Sequence, residues 1–395
     1  MRLLNVTLRR EPGAVSLVGT VRRGDRDIEL YFRYPEWCED FLRPNADPFL
    51  TAMSVPAAEA GEELASDLPA SPDLLRGLVR AVEVLHTWHP DRMGRLVLDV
   101  PLRTDPLPPG PDQAACFFSC GVDSFDTALL NLWHPAPGNP PLRYALFLHG
   151  LETELEKEVG AEAAAEHASR TAAALGLKAI VGWTNIRTHF PVNYGGLYCG
   201  VALSATALSL AGGYSVFHLP SSMYNASLHP WGHHILIDES CSTEYLRLEN
   251  DGGDVSRTRK VIRSIARSEI ALANLRSCST NSGALENCGT CRKCIRTMMS
   301  LEIAGVLRAC ATFPDTLRPD YLDIMKPQRP DHIYPNIEAT LEVGTSLWMI
   351  PGLERKVRQI VRVGALRDYL EVSPFRGRFE SWRERKRAGA TGEAR

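Results

Sequence analysis

Two clusters in this chain combine residue types with spacings that do chemistry. The first is Ser119-Cys120-Gly121-Val122-Asp123-Ser124, which ends an apolar run and precedes a segment of helical spacing. A helix that starts in a small polar turn presents unpaired N–H groups and the positive end of its dipole, which together attract anions. Ser119 and Ser124 can donate hydroxyls to phosphate oxygens, Gly121 lets the backbone come close, and Asp123 can cap the helix or help hold magnesium. No Gly-Lys pair occurs in the sequence, so the loop is not of the Walker type, whose lysine reaches the terminal phosphates. Backbone N–H groups, hydroxyls and the helix start must serve instead.

The second cluster is Cys278, Cys288, Cys291 and Cys294, spaced C-x9-C-x2-C-x2-C. Cys288-Gly289-Thr290-Cys291 is a knuckle that aims two thiolates at one centre. Cys294 follows one helical turn later, and Cys278 closes a tetrahedron from the preceding loop. Arg292, Lys293 and Arg296 offset the thiolate charge. Four available ligands favour a structural Zn2+. An iron–sulfur cluster is the competitor, because ferredoxin-type runs share the C-x2-C-x2-C spacing.

The six-residue turn resembles the Ser-Gly-Gly-x-Asp-Ser signature of the PP-loop ATP pyrophosphatase superfamily. Together with the downstream Ser-Cys, spacer and Cys-Gly-x-Cys-x-x-Cys, the segment 114–301 is similar to the 7-cyano-7-deazaguanine synthase family, as a divergent relative. The resemblance implies a PP-loop fold, ATP and Mg2+ as cofactors, Zn2+ on the four cysteines, and a ligase of the queuosine type. Such an enzyme cleaves ATP between its α and β phosphates, adenylates a carboxylate, amide or lactam oxygen, and lets ammonia or an amine displace AMP. It implies catalytic roles for Ser119, Asp123 and Ser124, and nucleotide contacts from Ser119, Cys120, Gly121, Val122, Asp123 and Ser124. Cys120 stands where the signature has glycine. Its Cβ is costly if the position needs φ > 0. Its thiol, or that of Cys199, opens a second reading, ATP-dependent sulfur transfer to a nucleobase or small molecule. A third reading is a non-catalytic nucleotide sensor.

The elements that must position these groups follow from periodicity. From 113 onward short apolar runs at 114–119, 144–148, 179–182 and 216–219 alternate with helical segments, which predicts a Rossmann-like, doubly wound parallel sheet with ligands at the C-terminal strand ends. Residues following those ends are therefore the remaining candidates: His149 and Asn185 for the nucleotide, and Ser221, Ser222, Tyr224, Trp231, His234 and Asp238 for the acceptor substrate, a carboxylate or a nucleobase-like ring. Arg187 is a further candidate. His229, His233 and His234 do not have the setting of a second metal site, and packing is the simpler reading for them. Residues 255–275 read as one helix with Ile262, Ile265, Ala266 and Leu272 on one side and Arg259, Lys260, Arg263 and Arg267 on the other. That basic face is either solvated or a wall of cations near a polyphosphate.

Four segments result. Residues 1–105, with a hairpin at 15–22 and 27–34, a helix at 74–86 and a strand at 95–102, form a small α+β appendage. Residues 106–112 are a proline-rich linker, 113–305 the nucleotide-binding domain with its four-cysteine site at 278–294, and 306–395 a mostly helical extension with a frayed tail. With 395 residues, 44% hydrophobic, 23% charged and a formal charge of −3, the chain has ordinary globular composition and no general attraction to nucleic acid or anionic lipid. No run reaches the length of a membrane span and no signal-peptide core is visible, so a cytoplasmic location is expected. The partners expected are the small-molecule acceptor and an ammonia or sulfur donor. The appended ends are compatible with a homodimer or with docking another protein.

Overall fold

The alternation around Gly24, which takes φ +60°, folds the first residues into an antiparallel meander of β1 (Arg2–Glu11), β2 (Ala14–Arg23) and β3 (Arg26–Pro35). Next come α1 (Asp47–Ala60), β4 (Leu64–Ser66), α2 (Pro72–Trp88) and β5 (Leu98–Asp99). Helix α2 starts where the sequence signals it: Ser71 accepts from the Leu74 N–H and Pro72 occupies the first turn. The computed structural model describes residues 1–152, 155, 160–278 and 287–317.

Beyond the prolines the expected alternation appears. Strand β6 (Ala114–Phe117) leads to α3 (Val122–Trp133), β7 (Leu142–His149) to α4 (Ala161–Ala174), and β8 (Lys178–Thr184) to α5 (Ile186–His189) and α6 (Cys199–Ser209). Then follow β9 (Val216–Pro220), α7 (Ile235–Asp238), β10 (Arg247–Asp251), α8 (Arg257–Arg263), α9 (Glu269–Asn274) and α10 (Arg292–Ile303). All neighbouring pairs in the order β10-β9-β6-β7-β8 are parallel. Succession moves one way from β6 through β7 to β8 and the other way from β9 to β10, so the order reverses between β6 and β9. In an α/β sheet that switch point opens a crevice, and the turn 119–124 sits in it.

The same sheet continues into the N-terminal region. Strand β3 pairs antiparallel with β8 through Phe32–Thr184 and Arg33–Trp183, giving ten strands in the order β10-β9-β6-β7-β8-β3-β2-β1-β4-β5. The junction is tight: a Cβ at Gly182 would lie 2.4 Å from the Tyr34 ring, and Tyr34 Oη lies 2.7 Å from Ser209 Oγ. A polar clasp reinforces it. The buried Asp47 accepts from Arg103 at 2.8 and 3.2 Å, from the Ser71 N–H at 3.0 Å and from the Tyr245 hydroxyl at 2.8 Å, joining α1 and α2 to the segment before β10. Residues of 1–105 and of the parallel strands share one hydrophobic cluster.

Two local expectations are corrected. The single helix over 255–275 is α8, a 3-10 turn at Ile265–Arg267, and α9. Ser264 breaks it by turning its hydroxyl to Asp126, and Ser268 recaps it by accepting from the Ala271 N–H. The strand over 95–102 shrinks to the two residues of β5, and β10 has no counterpart among the expected strands. Of the helical extension at 306–395, everything from 318 onward lies outside the described residues. Among the described residues no helix is long and apolar enough to cross a membrane.

Candidate active site

Helix α3 begins at Gly121, which has no side chain to cap the first-turn N–H groups. Ser124, buried, donates to the Gly121 carbonyl at 3.1 Å and accepts from the Ser119 N–H at 3.3 Å, closing the loop on itself. Ser119 is exposed at the rim, and Val122 is buried. Cys120 adopts φ +60°, alone among the described non-glycine residues in a left-handed conformation. Glycine adopts this conformation at least cost, so the Cys120 side chain sits on a strained backbone. Burial pushes the Cys120 thiol up to about 12, and the side chain packs in a hydrophobic cluster with Phe118 and Phe125.

The cation missing from the loop arrives from α8. Ser256 caps this helix by accepting from the Arg259 N–H at 3.3 Å. Lys260, 1% exposed, sets its Nζ 3.1 Å from Asp123 Oδ1 and 2.6 Å from the Ser221 carbonyl oxygen, while Arg257 donates to Asp123 Oδ2. Burial alone would raise the Asp123 pKa, but the two cations outweigh it and hold the carboxyl well below the usual carboxylate range. The stability this adds is present above pH ~4 and is lost as pH falls below it. A second clamp fixes α8 against α3. The buried Asp126 accepts from Arg263 at 2.9 and 2.7 Å and from the Ser264 hydroxyl at 2.8 Å, and Arg263 reaches Asp254 at 2.6 and 3.0 Å. Lys260 and Arg263 thus turn inward, and of the expected basic face Arg267 alone is exposed.

The acceptor-side candidates divide. Ser222 and Trp231 are exposed and Tyr224 is half-buried at the mouth; Trp231 lies on Gly195, where a Cβ would approach its ring to 2.8 Å. Ser221, His234 and Asp238 are committed to the fold. Ser221 donates to the Met223 carbonyl at 3.2 Å, His234 caps α7 and meets Trp88 edge-on, and Asp238 pairs with His233 and Asn250. His149 is buried and stacks on Trp183 with ring centroids 5.5 Å apart. Asn185 accepts from the Tyr31 N–H and donates to the Glu29 carbonyl, both at 2.8 Å, so its side chain ties β8 to β3. Arg187 covers the Tyr194 ring at 4.7 Å and donates to the Leu151 carbonyl at 2.6 Å. Cys199, like Cys120, has its thiol pushed up to about 12 by burial.

The four cysteines do converge. Their sulfur atoms all lie within 4.8 Å of one another, and the Cys288 and Cys294 sulfurs are 3.8 Å apart. A tetrahedral zinc with bonds of ~2.3 Å separates its sulfurs by ~3.8 Å, so the donor set fits. Gly289 at φ +68° makes the knuckle, and the N–H groups of Thr290 and Cys291 donate to Cys288 Sγ at 3.5 and 3.2 Å. The cluster is joined to the cleft at both ends. The Arg276 N–H donates to the Cys120 carbonyl at 2.8 Å, and α10 packs on α8, where Thr258 and Ser300 hydroxyls lie 3.1 Å apart.

No protein-family model matches this chain, and neither a curated protein nor a solved structure matches it. The site therefore stands on its own geometry. Arg257 and Asp126 are not singled out as functional by the sequence, which offers Asp238 for the acceptor but not its pairing with His233. The available signal was Ser256, a helix-capping residue followed by cations one turn apart on an otherwise amphipathic segment.

Proposed function

We propose that the switch-point cleft binds ATP and cleaves it between the α and β phosphates, adenylating a substrate oxygen that ammonia or an amine then attacks. The observation that carries this reading is the pairing of an uncapped α3 start with Lys260 and Arg257. Two cations and a row of N–H groups converge on a loop that has no lysine of its own. In the PP-loop reading the acceptor oxygen attacks the α-phosphorus and pyrophosphate departs. The N–H groups of residues 121–124, the Ser119 hydroxyl, Lys260 and Arg257 would stabilise the negative charge that develops there. Asp123 would hold Mg2+, which would neutralise the same phosphates. Cys278, Cys288, Cys291 and Cys294 would hold a structural Zn2+ that supports α10 and, through it, α8. The acceptor is a carboxylate or nucleobase-like ring lying near Ser222, Tyr224 and Trp231. The high thiol pKa values of Cys120 and Cys199 weigh against sulfur transfer through either.

The test is the fate of ATP with the zinc-loaded protein, 7-carboxy-7-deazaguanine and ammonium. AMP and pyrophosphate with a nitrile or amide product support the proposal, and ADP with phosphate overturns it. A sensor is the second reading, favoured by the strained Cys120 and by an Asp123 already engaged by two cations. It expects tight ATP binding with no cleavage under any acceptor.

A further inference from the structure

His233 is buried, yet both of its ring nitrogens face oxygen acceptors. Nδ1 lies 2.8 Å from Asp238 Oδ2, and Nε2 lies 2.9 Å from the Pro220 carbonyl oxygen. Nε2 must carry hydrogen to donate to the Pro220 carbonyl, while Nδ1 stands at ion-pair distance from the Asp238 carboxylate without hydrogen-bond alignment, and that neighbouring charge favours the imidazolium. Asp238 in turn accepts from Asn250 Nδ2 at 2.6 Å, which secures it to β10. The next carbonyl along the chain, that of Ser221, is the one that receives Lys260 Nζ at 2.6 Å, and the Ser221 N–H donates to the Asp251 carbonyl at 2.7 Å. The end of β9 is therefore held at consecutive carbonyls by two buried side chains, His233 from the α7 side and Lys260 from α8.

We infer that His233 is a positioning residue for Lys260: its imidazolium, braced by Asp238, fixes the 220–221 backbone whose carbonyl holds the ammonium toward Asp123. The inference rests on the proposed function only in taking the Lys260 ammonium to face phosphate. The groups that bear on His233 are Asp238 on α7, Asp123 on α3, its neighbour His234, and Lys260 through the shared strand end. Burial lowers the His233 pKa, but Asp238 and the Pro220 carbonyl more than compensate and raise it to about 9. The sign follows: the clamp is complete below pH ~6.5, the unperturbed value, and is lost as pH rises through about 9. A neutral ring can keep its Nε2–H on the Pro220 carbonyl only by presenting a bare Nδ1 to the Asp238 carboxylate, which removes the ion pair that braces the ring.

The experiment compares the full-length wild type, His233→Gln and Lys260→Met. Nitrogen-15 chemical shifts of the His233 ring are followed from pH 6 to 10, together with the rate at which Lys260 is labelled by an amine reagent, read by mass spectrometry. We expect both ring nitrogens protonated at pH 7. We expect Lys260 labelling in the wild type to be protected at pH 7 and to rise steeply through pH 9, beyond the reagent's intrinsic pH dependence. In His233→Gln we expect labelling about tenfold faster at pH 7 and free of that extra rise. A neutral ring at pH 7, or the same labelling profile in His233→Gln as in the wild type, overturns the inference. The affinity for inorganic pyrophosphate, measured on the same samples, separates this from the proposed function. Wild type that binds no pyrophosphate contradicts the phosphate reading of the cleft, while the labelling profiles still decide the role of His233.

Discussion

The cleft at 119–124 and the cluster at 278–294 both gather reactive side chains, but they balance charge in opposite ways. In the cleft Asp123 is neutralised by Lys260 and Arg257, and Asp126 by Arg263, so every named charge there has a protein partner. In the cluster four sulfurs face one another, and N–H and hydroxyl groups of residues 290–294 donate to those of Cys288 and Cys291. Four thiolates gathered this closely repel one another, and a metal ion at their centre would offset that charge more directly than the nearby Arg292, Lys293 and Arg296. The cleft is self-sufficient, and a ligand must compete for contacts that already exist. An anion would take Lys260 and Arg257 from Asp123, and a divalent cation would take Asp123 from them. The comparison teaches that convergence of donors is evidence for a metal, whereas convergence of paired charges is evidence for a ligand only with a function test.

The largest effect should come from the cluster. Purified protein should carry one zinc per chain by mass spectrometry. Chelation or Cys291→Ser should lower the thermal midpoint more than any other change considered, since structural zinc sites contribute on the order of 10 kcal/mol of apparent folding energy. ATP affinity should fall with it, because α10 supports α8; a metal-free protein with unchanged stability would break the comparison. Next, Lys260→Met should reduce AMP formation by ~10²–10³-fold, in the range seen when one charge-stabilising donor is removed. Zinc content should be unaltered. Asp126→Asn should cost about 2 kcal/mol in denaturant unfolding, less than a fully buried pair because Arg263 is partly exposed and keeps Asp254. The smallest change is expected of Cys120→Gly. Relief of the left-handed conformation, ~1–2 kcal/mol, is offset by lost packing of the buried thiol. Stability should move by less than about 1 kcal/mol and AMP formation should stay near wild type. A gain from no activity to turnover would favour the sensor reading.

Both clusters were legible because their spacing is local. A strand, a small polar turn and a helix follow one another in sequence, and a knuckle needs only seven consecutive residues, 288–294, with Cys278 added. The parallel half of the sheet was legible for the same reason: β6 to β9 are apolar runs separated by helices. What escaped is relational. The pairing of β3 with β8 spans two residues on each strand and depends on Tyr34 fitting over Gly182, which no periodicity encodes. Strand β10 reads as Arg-Leu-Glu-Asn-Asp, polar at four of five positions, because its side chains meet His218, Asn139 and Asp238 instead of an apolar layer. Asn185 looked like a cleft residue because it follows a strand end, but the neighbouring β3 backbone claims both of its polar atoms. The basic face of α8 offered two readings that only the placement of Asp123 and Asp126 separates.

The most direct measurement of the central claim is exchange of isotope-labelled pyrophosphate into ATP, with Mg2+ and a panel of carboxylate and nucleobase-like acceptors, in wild type and Lys260→Met side by side. The account expects exchange that requires one acceptor class in the wild type and is lost in Lys260→Met, with zinc content equal in the two. Exchange that survives undiminished in Lys260→Met, or calorimetry showing that the zinc-loaded wild type binds no ATP, would contradict it.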